Sequence, residues 1–442
     1  MSNLRTMLTL LSSCVLINLC LGDSFSVNLQ WSNIDYRWPT NADRESAIKN
    51  GSYIVQNVYI NSLRPWKHRL FLTSPRIKQG VPVTLSVVSK TGVNSPYLEP
   101  YPNWEMQRIN DCSAFQSVKA IEIDTRDGLW VADSGNYICP PKIVIIDLNH
   151  NRIVKSFNFA SNVANIGTAS FNNIVVDGDY AYITDSDDSK PGIVVYNSKD
   201  LGDAWKKIDG RDNSSMRAEK EFSNFLVDLT TVNNTRQHIN AIALSPASAA
   251  EGFVYYSAFS SYHMYALPTR ALQSKSSNED LRNDVILVGP IPSPIESMTM
   301  SNYGLLYFGL ITESAVSFWD TNLAPLSIGQ RIIFKDNSIV QWPSSFAFDD
   351  SGNLWCLSNR KQNFLSGKAN INEINFRALS LQVNMKSSQY PIPQMDNNNV
   401  QTDKPISGRQ GTTKTGKSSS SEQSVVTLAH VLLAWILVFC MK

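Results

Sequence analysis

The sequence has little net charge and few charged residues. Lys and Arg (39) nearly balance Asp and Glu (38), so the formal net charge is +1, and charged residues occupy only 17% of the 442 positions. A protein that binds a polyanion draws its affinity from clustered excess Lys and Arg, so this balance argues against a nucleic-acid partner. Low charge combined with 10% aromatic residues also argues against a chain that is disordered throughout.

The sequence also lacks several short motifs of catalytic sites, and its formal P-loop match, GTTKTGKS (411–418), is a chance match because neither a core strand nor a helix flanks it. It contains no HExxH, GxSxG or CxxC pattern, and its histidines are scattered. We therefore expect no bound metal and no cofactor, and the sequence assigns no catalytic residue. No 3.6-residue apolar periodicity accompanies the repeats described below, which excludes a helical solenoid.

Residues 1–22 have the pattern of a secretory signal peptide. Arg5 precedes an apolar run at positions 7–21, and small residues precede the predicted cleavage after Gly22. A buried N-terminal helix is the alternative, but the run is short and polar sequence follows it at once. The mature chain is therefore expected in an oxidising, extracellular compartment.

The C-terminal end consists of a polar linker and a hydrophobic tail. Positions 391–424 are rich in Ser, Thr and Lys and predict a disordered linker, whereas positions 425–442 are mostly apolar. The tail is shorter than the roughly 20 apolar residues of a spanning helix. A GPI-attachment signal is the preferred interpretation, with a short membrane anchor next and free secretion last. Either of the first two would tether the protein to the outer cell surface.

A repeated pattern fills positions 23–390. Each unit combines an apolar strand, a turn rich in Asp, Asn and Gly, and an aromatic-rich strand, which predicts a β-hairpin, and an outer strand follows most hairpins. Six units, spaced about 50 to 65 residues apart, predict an all-β, six-bladed β-propeller with a single ring. Pairing of residues 25–31 with 376–383 would close the ring. The units begin near positions 121, 174, 239, 298 and 346, with a degenerate first unit at 58–60, 69–72 and 83–87.

Several short motifs follow one another along the repeats. In order they are SPYLEPYP (95–102), DC (111–112), QSV (116–118), DGLWVADSG (127–135), CPPK (139–142), DS (185–186), GIVVY (192–196), LW (354–355), LSNR (357–360) and NFR (375–377). Their combination resembles the Yellow/major royal jelly protein family of insects over residues 31–380. The resemblance implies a secreted six-bladed propeller, and the hydrophobic tail departs from the family's common pattern. Some members are associated with melanin-pathway chemistry on dopachrome, salivary members bind biogenic amines, and others are secreted nutritional or developmental proteins.

Cysteines and glycosylation sequons add covalent features to this picture. The resemblance implies a disulfide between Cys112 and Cys139, which an oxidising compartment permits. Cys356 is left over, as either an inert buried thiol or a reactive one, and its apolar neighbours favour the first. Sequons at Asn50, Asn213 and Asn233 lie in polar, turn-like sequence and predict surface N-glycans.

A ligand pocket is expected at one mouth of the ring, because propeller axes leave a funnel there. By resemblance to the amine-binding members, the last blade contributes a small hydroxyl residue and an Asn. Blade core and turn are the alternative roles, and the charge of the neighbouring Lys361 would repel an ammonium group. The candidate residues are Ser344 and Asn359, Phe346 and Phe364 as aromatic walls, and Asp133 and Asp185 as ammonium partners.

Aspartates that end the inner strands allow a second interpretation. Asp133, Asp185 and the pair Asp187-Asp188 could hold Ca²⁺ through oxygen ligands. The alternative is that they cap turns by accepting backbone N–H groups. Turn capping is favoured because the set lacks further Glu or Asn ligands.

Three functions are open to such a chain. The preferred one is a secreted or surface-tethered propeller that binds a small aromatic ligand, such as a biogenic amine, in pigmentation or development. The second is an enzyme of the melanin pathway that converts dopachrome as a tautomerase or decarboxylase, although no acid–base pair is evident. The third is a structural or interaction protein without a ligand.

Overall fold

The computed structural model describes residues 24–392, except positions 93, 200–201, 212–213, 234–235 and 276–280. The predicted signal peptide, the linker beyond residue 392, the hydrophobic tail and Asn213 lie outside the described residues. Within the described ranges, no helix is long and apolar enough to cross a membrane.

Twenty-four of the strands in the described residues form six four-stranded antiparallel sheets, and two more form a separate hairpin. In chain order the strands are β1 (Ser26–Trp31), β2 (Ser62–Trp66), β3 (Arg69–Thr73), β4 (Leu85–Ser89), β5 (Glu99–Pro100), β6 (Val118–Ile123), β7 (Gly128–Asp133), β8 (Lys142–Asp147), β9 (Arg152–Asn158), β10 (Phe171–Asp177), β11 (Tyr180–Asp185), β12 (Gly192–Asn197), β13 (Asp203–Lys207), β14 (Phe225–Val227), β15 (Thr230–Val232), β16 (Ile239–Leu244), β17 (Phe253–Ala258), β18 (His263–Pro268), β19 (Ile286–Pro290), β20 (Met298–Met300), β21 (Leu305–Leu310), β22 (Ala315–Asp320), β23 (Arg331–Lys335), β24 (Trp342–Phe348), β25 (Asn353–Asn359) and β26 (Phe376–Gln382).

The sheets are the blades of a six-bladed β-propeller, as the sequence predicts. Strands β2, β6, β10, β16, β20 and β24 are the innermost strands of the six blades, and each packs beside the next until β24 meets β2. In the first five blades the remaining strands follow outward in chain order. The short helices lie in the connections and are α1 (Asn41–Lys49), α2 (Thr269–Gln273), α3 (Leu326–Gly329) and α4 (Lys361–Leu365), with 3₁₀ turns at Val55–Asn57 and Glu105–Gln107.

The two ends of the propeller meet in the sixth blade. Strand β1 pairs antiparallel with β26 and becomes the outermost strand beside β24 and β25. Leu29 and Trp31 of β1 are completely buried. The predicted closure of the ring by the first and last segments is therefore confirmed.

Apolar residues are distributed as layers between neighbouring blades. One buried cluster joins Trp66 and Phe71 of the first blade to Ile121 of the second. Similar clusters lie between each following pair of blades, and the last one joins Trp355 of the sixth blade to Leu63 of the first. Since neighbouring blades cover both faces of the middle strands, several of these strands, such as β8 and β21, appear in the sequence as nearly continuous apolar runs.

The outermost strands have a different character because one edge of each faces solvent. Strand β23 exposes Arg331 and Lys335 at its two ends, and β9 exposes Arg152. Charged side chains on an edge strand oppose pairing with another chain. The pattern keeps the rim of the ring from acting as a template for further strands.

Two blades close their first hairpin with the same polar turn. Asp124, which follows β6, accepts the backbone N–H of Gly128 at 2.8 Å and the indole N–H of Trp130 at 2.9 Å. Asp349, which follows β24, accepts the indole N–H of Trp355 at 2.8 Å in the same way. These carboxylates satisfy N–H groups that would otherwise be buried without a partner, so they fix the turn.

The first blade differs from the sequence prediction. Residues 58–60 precede the inner strand, and the strand itself is β2, which contains Arg64 and Pro65. The buried guanidinium of Arg64 pairs with Glu122 of the second blade at 3.2 Å. Strand β2 hydrogen-bonds only to β3 and turns its other edge to the channel, so it tolerates a proline and a paired charge. These two residues are untypical of a strand, and for this reason the sequence pattern did not indicate β2.

Residues 384–392 cross the face of the ring at which the inner strands end. The N–H of Ser388 donates to the carbonyl of Met300 at 2.9 Å, and the amide of Gln389 donates to the carbonyl of Ile123 at 3.1 Å. Met300 and Ile123 are the last residues of β20 and β6. The described chain therefore ends on this face, opposite to the face where the inner strands begin.

Candidate ligand-binding cavity

A cavity of about 520 Å³ lies at the mouth of the ring where the inner strands begin. Residues from several blades line it, including Asn61 before β2 and Glu296 before β20. The apolar side chains of Ile77 and Leu365 contribute part of the wall. This volume falls within the range of about 300 to 1,000 Å³ that is usual for small-molecule sites.

Three polar side chains occupy equivalent positions in successive blades. Lys119, Asn172 and Asn240 are each the second residue of an inner strand, and all three line the cavity. The ammonium of Lys119 donates to the Oδ1 of Asn172 at 3.1 Å and to the Oγ of Ser170 at 3.3 Å. The repeat therefore places hydrogen-bonding groups from three blades around one space.

The pKa of Lys119 is unusually low for a lysine. Burial and, to a smaller extent, the nearby ammonium of Lys361 lower the pKa of Lys119 to about 8, against the opposing influence of Glu296 and Asp185. A fraction of Lys119 is therefore uncharged near neutral pH. An uncharged lysine can accept a proton from a bound molecule.

A buried ammonium group lies within an aromatic cage, which is formed by Tyr59, Phe259 and Trp342 together with Glu296. The Nζ of Lys361 lies 5.7, 5.9 and 5.6 Å from the ring centres of these three aromatic residues, respectively. It forms an ion pair with Glu296, whose carboxylate also accepts the indole N–H of Trp342. Lys361 and Glu296 both line the cavity, so the aromatic cage lies at its floor.

The hairpin of β14 and β15 covers the aromatic cage on its outer side. Phe225 and Val232 of the hairpin belong to one buried cluster with Phe259 and Trp342, and the rings of Phe225 and Trp342 are 6.1 Å apart. The hairpin lies outside the six blades, and the sequence repeat does not predict it. It covers the side of the cage that Phe259 and Trp342 form.

The structure brings the predicted residues Ser344 and Asn359 together beside the cage. The amide of Asn359 donates to the Oγ of Ser344 at 2.9 Å and to the hydroxyl of Tyr59 at 3.0 Å. Its Oδ1 accepts the backbone N–H of Lys361 at 3.0 Å. Both predicted residues are buried beneath the cavity and hold the cage residues in position, whereas their prediction was as direct ligand contacts.

The two predicted aromatic walls lie elsewhere. Phe364 stacks on Tyr59 with ring centres 5.1 Å apart. Phe346 lies in the apolar layer between the fifth and sixth blades with Tyr307 and Val316. Neither ring lines the cavity. The ring of Phe364 packs on Tyr59 instead, and the ring of Phe346 packs between two blades.

The two predicted ammonium partners are also engaged outside the cavity. The carboxylate of Asp133 accepts the backbone N–H of Ser117 at 2.7 Å and pairs with the buried Lys142 at 3.2 Å. Asp185 accepts backbone N–H groups and pairs with the buried Lys206 at 2.8 Å. Both carboxylates therefore cap turns and neutralise a buried lysine of their own blade.

The neighbouring pair Asp187 and Asp188 does line the cavity. Burial raises the pKa of Asp187, but hydrogen bonds from Ser189, Thr168 and the backbone outweigh it and hold that pKa well below its usual value. The side chain of Asp188 is 97% exposed at the rim. Among the described residues, no group of three or more His, Cys, Asp or Glu is arranged to hold a metal ion.

The cysteines agree with the sequence analysis. Cys112 and Cys139 form a disulfide, with their Cα atoms 5.0 Å apart. Cys356 is a free thiol buried in strand β25, and burial raises its pKa well above the usual value, which opposes formation of a reactive thiolate. The side chains of Asn50 and Asn233 are exposed, so the geometry permits the glycans that the sequons predict.

Several residues of the site escaped sequence reasoning. Tyr59, Glu296 and Trp342 are separated by tens to hundreds of positions, and nothing in their local sequence shows that they meet. Lys119 and Asn240 did leave a signal, because each follows the first apolar residue of an inner strand. Superposing the repeats would have shown a polar residue at the same register in three blades.

Comparison with known proteins assigns the family. A family model described as "Major royal jelly protein" matches residues 116–391. The chain belongs to this family. Major royal jelly protein 9 of Apis mellifera is 28% identical over an alignment of 389 residues that covers 81% of this chain and 88% of that protein. Dopaminechrome tautomerase of Drosophila melanogaster is 28% identical over 418 residues, 86% and 89% of the two chains. Protein yellow of Drosophila melanogaster is 27% identical over 366 residues, 78% and 66% of the two chains.

Proposed function

We propose that this member of the major royal jelly protein family is an extracellular propeller that binds a small aromatic ligand in the cavity at its mouth. The cavity of about 520 Å³, with polar groups from several blades around it, is the observation that carries the proposal. The Cys112–Cys139 disulfide supports an oxidising, extracellular location. The predicted hydrophobic tail supports attachment to the outer cell surface.

The lining favours a ligand with ring oxygens over a purely apolar one. Lys119 and Asn240 are able to donate hydrogen bonds to catechol or quinone oxygens on one side of the cavity. Asp188 places an exposed carboxylate at the rim, where it could meet a protonated amine. Catechol-derived amines combine both features, which supports a biogenic amine or its oxidised product as the ligand.

A dopaminechrome-type tautomerase is the second candidate. Tautomerisation removes a proton from ring carbon and returns one to oxygen, so it needs a group that gains and loses a proton near neutral pH. Lys119, with its pKa lowered to about 8 inside the cavity, is such a group. The relative named dopaminechrome tautomerase makes this reaction the one to test.

Two measurements together test both candidates. One is calorimetric titration with serotonin, dopamine and dopaminechrome, and the other is an absorbance assay of dopaminechrome consumption. We expect one-to-one binding by the wild type and at least about tenfold weaker binding by Lys119→Met, a loss of about 1.4 kcal/mol. Lys49→Met, on the exposed face of α1, is the matched control and should bind normally. Catalytic turnover that Lys119→Met abolishes would favour the tautomerase. If none of the three compounds gives a heat of binding or is turned over, both candidates are contradicted. A structural or interaction role without a ligand is then the remaining function.

A further inference from the structure

The environment of the Lys361 ammonium is that of a bound amine. Its side chain is only 7% exposed, three aromatic rings surround the charge, and Glu296 supplies a buried counter-charge. Aromatic rings with a carboxylate are the arrangement by which proteins recognise ammonium ligands. Here the occupant is part of the same chain.

We propose that the aromatic cage is an ammonium-binding site that Lys361 fills as an internal ligand, and that removal of its side chain opens the cage to a free primary alkylammonium ion.

The cage is held in place by contacts that do not involve Lys361. The rings of Trp342 and Phe259 stack 5.9 Å apart at an interplanar angle of 12°. The indole of Trp342 donates to Glu296, and the hydroxyl of Tyr59 accepts from Asn359. The walls and the counter-charge therefore stay in position when the lysine is shortened, as a preformed site requires.

The cage also has an access route. Lys361 and Glu296 both line the cavity, whereas Phe225 of the β14–β15 hairpin closes the opposite side. A small amine entering from the cavity would follow the path that the lysine side chain now occupies. Shortening Lys361 to alanine removes three methylene groups and the ammonium, which is the size of n-propylammonium.

Occupation of the cage has a consequence for ligand choice that rests on the proposed function. In the wild type, the floor of the cavity presents an ammonium already paired with Glu296, so a ligand cannot place its own cation there. An amine ligand is left with the rim and Asp188, while its ring oxygens face Lys119. Lys361 thus selects the orientation of the ligand.

Rescue of Lys361→Ala by n-propylammonium chloride is the test. The variant leaves Glu296 as a buried charge without its partner, so its thermal midpoint should fall by about 5 °C or more. A ligand that binds only the folded protein raises the midpoint with concentration until the site is saturated. We expect n-propylammonium to restore at least half of the loss in a saturable way, and to have no such effect on the wild type.

Matched controls separate the cage from general effects of salt and solvent. Lys361→Met fills the cage with an uncharged chain of similar length, so n-propylammonium should not stabilise it. n-Propanol has the length of the amine without its charge and should not rescue Lys361→Ala. Equal effects on the alanine and methionine variants, or equal effects of amine and alcohol, would overturn the proposal.

A double-variant cycle keeps the proposal testable if Lys361→Ala does not fold. Lys361→Met and Glu296→Gln each leave one buried charge unpaired, so the double variant should have a higher midpoint than either single variant. A double variant whose loss is the sum of the single losses would refute the paired ammonium in the cage. These measurements use protein without aromatic ligand, so failure of the rescue and failure of ligand binding are separate results.

Discussion

At the scale of single residues, His238 connects the cavity rim to the stability of the chain. Its Nδ1 accepts the backbone N–H of Ala218 at 2.9 Å, and its Nε2 lies 3.6 Å from the Asp188 carboxylate. Burial lowers the pKa of His238, helped by Arg217 and Arg236 and opposed by Asp188 and, more weakly, by Asp187. Protonation of Nδ1 would remove the bond to Ala218, so the folded protein holds the neutral ring.

The neutral state of His238 predicts a loss of stability in mild acid. Its contribution is complete above the unfolded pKa of about 6.5 and is lost as the pH falls below that value, because the unfolded chain takes up the proton at a higher pH than the folded protein does. Between pH 7.5 and 5.5 we expect this group to lower the free energy of unfolding by at most about 1 kcal/mol. His238→Asn keeps an acceptor for Ala218 but does not titrate, so thermal midpoints at the two pH values should differ less for the variant. Equal differences for both proteins would refute the assignment.

The ion pair of Lys361 is an example of a contact that cannot be predicted from the local sequence. The charge of Lys361 beside Asn359 predicts repulsion of an ammonium ligand, but the local sequence does not show that Glu296 pairs with this charge. Its partner Glu296 lies 65 positions earlier, on the approach to another blade. Which opposite charges meet depends on closure of the ring, and a local pattern contains no information about it.

At the scale of elements, the Asp-to-Trp turns explain why the hairpins were predictable. Asp349 is buried and accepts from the backbone of Ser351 and Asn353, from the indole of Trp355 and from Lys90. These side chains are close in sequence, except Lys90, so the turn appears as a local motif. The hairpin of β14 and β15 has no such motif, because Asp228 and Leu229 adopt positive φ angles of 46° and 62° without glycine.

Replacement of Asp349 tests the turn. Asp349→Ala should lower the free energy of unfolding by about 2 to 4 kcal/mol, since it leaves the buried indole N–H of Trp355 and several backbone groups without acceptors. Asp350→Ala, at the adjacent exposed position, should change it by less than about 0.5 kcal/mol. Denaturant unfolding of both variants measures the contrast. Similar losses for the two would mean that the turn is not held by this carboxylate.

At the scale of the whole molecule, ring closure depends on the first described strand. Strand β1 pairs with β26 through residues 26–31, although the two segments are about 350 positions apart in the chain. The segments at 25–31 and 376–383 predict this closure from the sequence. The sequence could not predict the residues that line the cavity in the same way, since the lining combines side chains from separate blades.

Removal of β1 tests closure of the ring. A chain lacking residues 24–31 loses the buried Leu29 and Trp31 and exposes the edge of β26, so we expect a lower thermal midpoint and self-association. A chain ending at residue 392 keeps every described strand and should melt as the full-length mature protein does. Size-exclusion chromatography and thermal unfolding compare the two. A monomeric deletion variant with an unchanged midpoint would show that β1 is dispensable.

The path of residues 384–392 determines which face of the propeller is accessible when the protein is attached to a surface after residue 392. This segment crosses the face where the inner strands end, while the cavity opens on the other face. A chemical support or sensor surface coupled after residue 392 would therefore leave the cavity mouth turned toward the solution. Immobilised in this orientation, the protein would meet diffusing small molecules without the support blocking their entry.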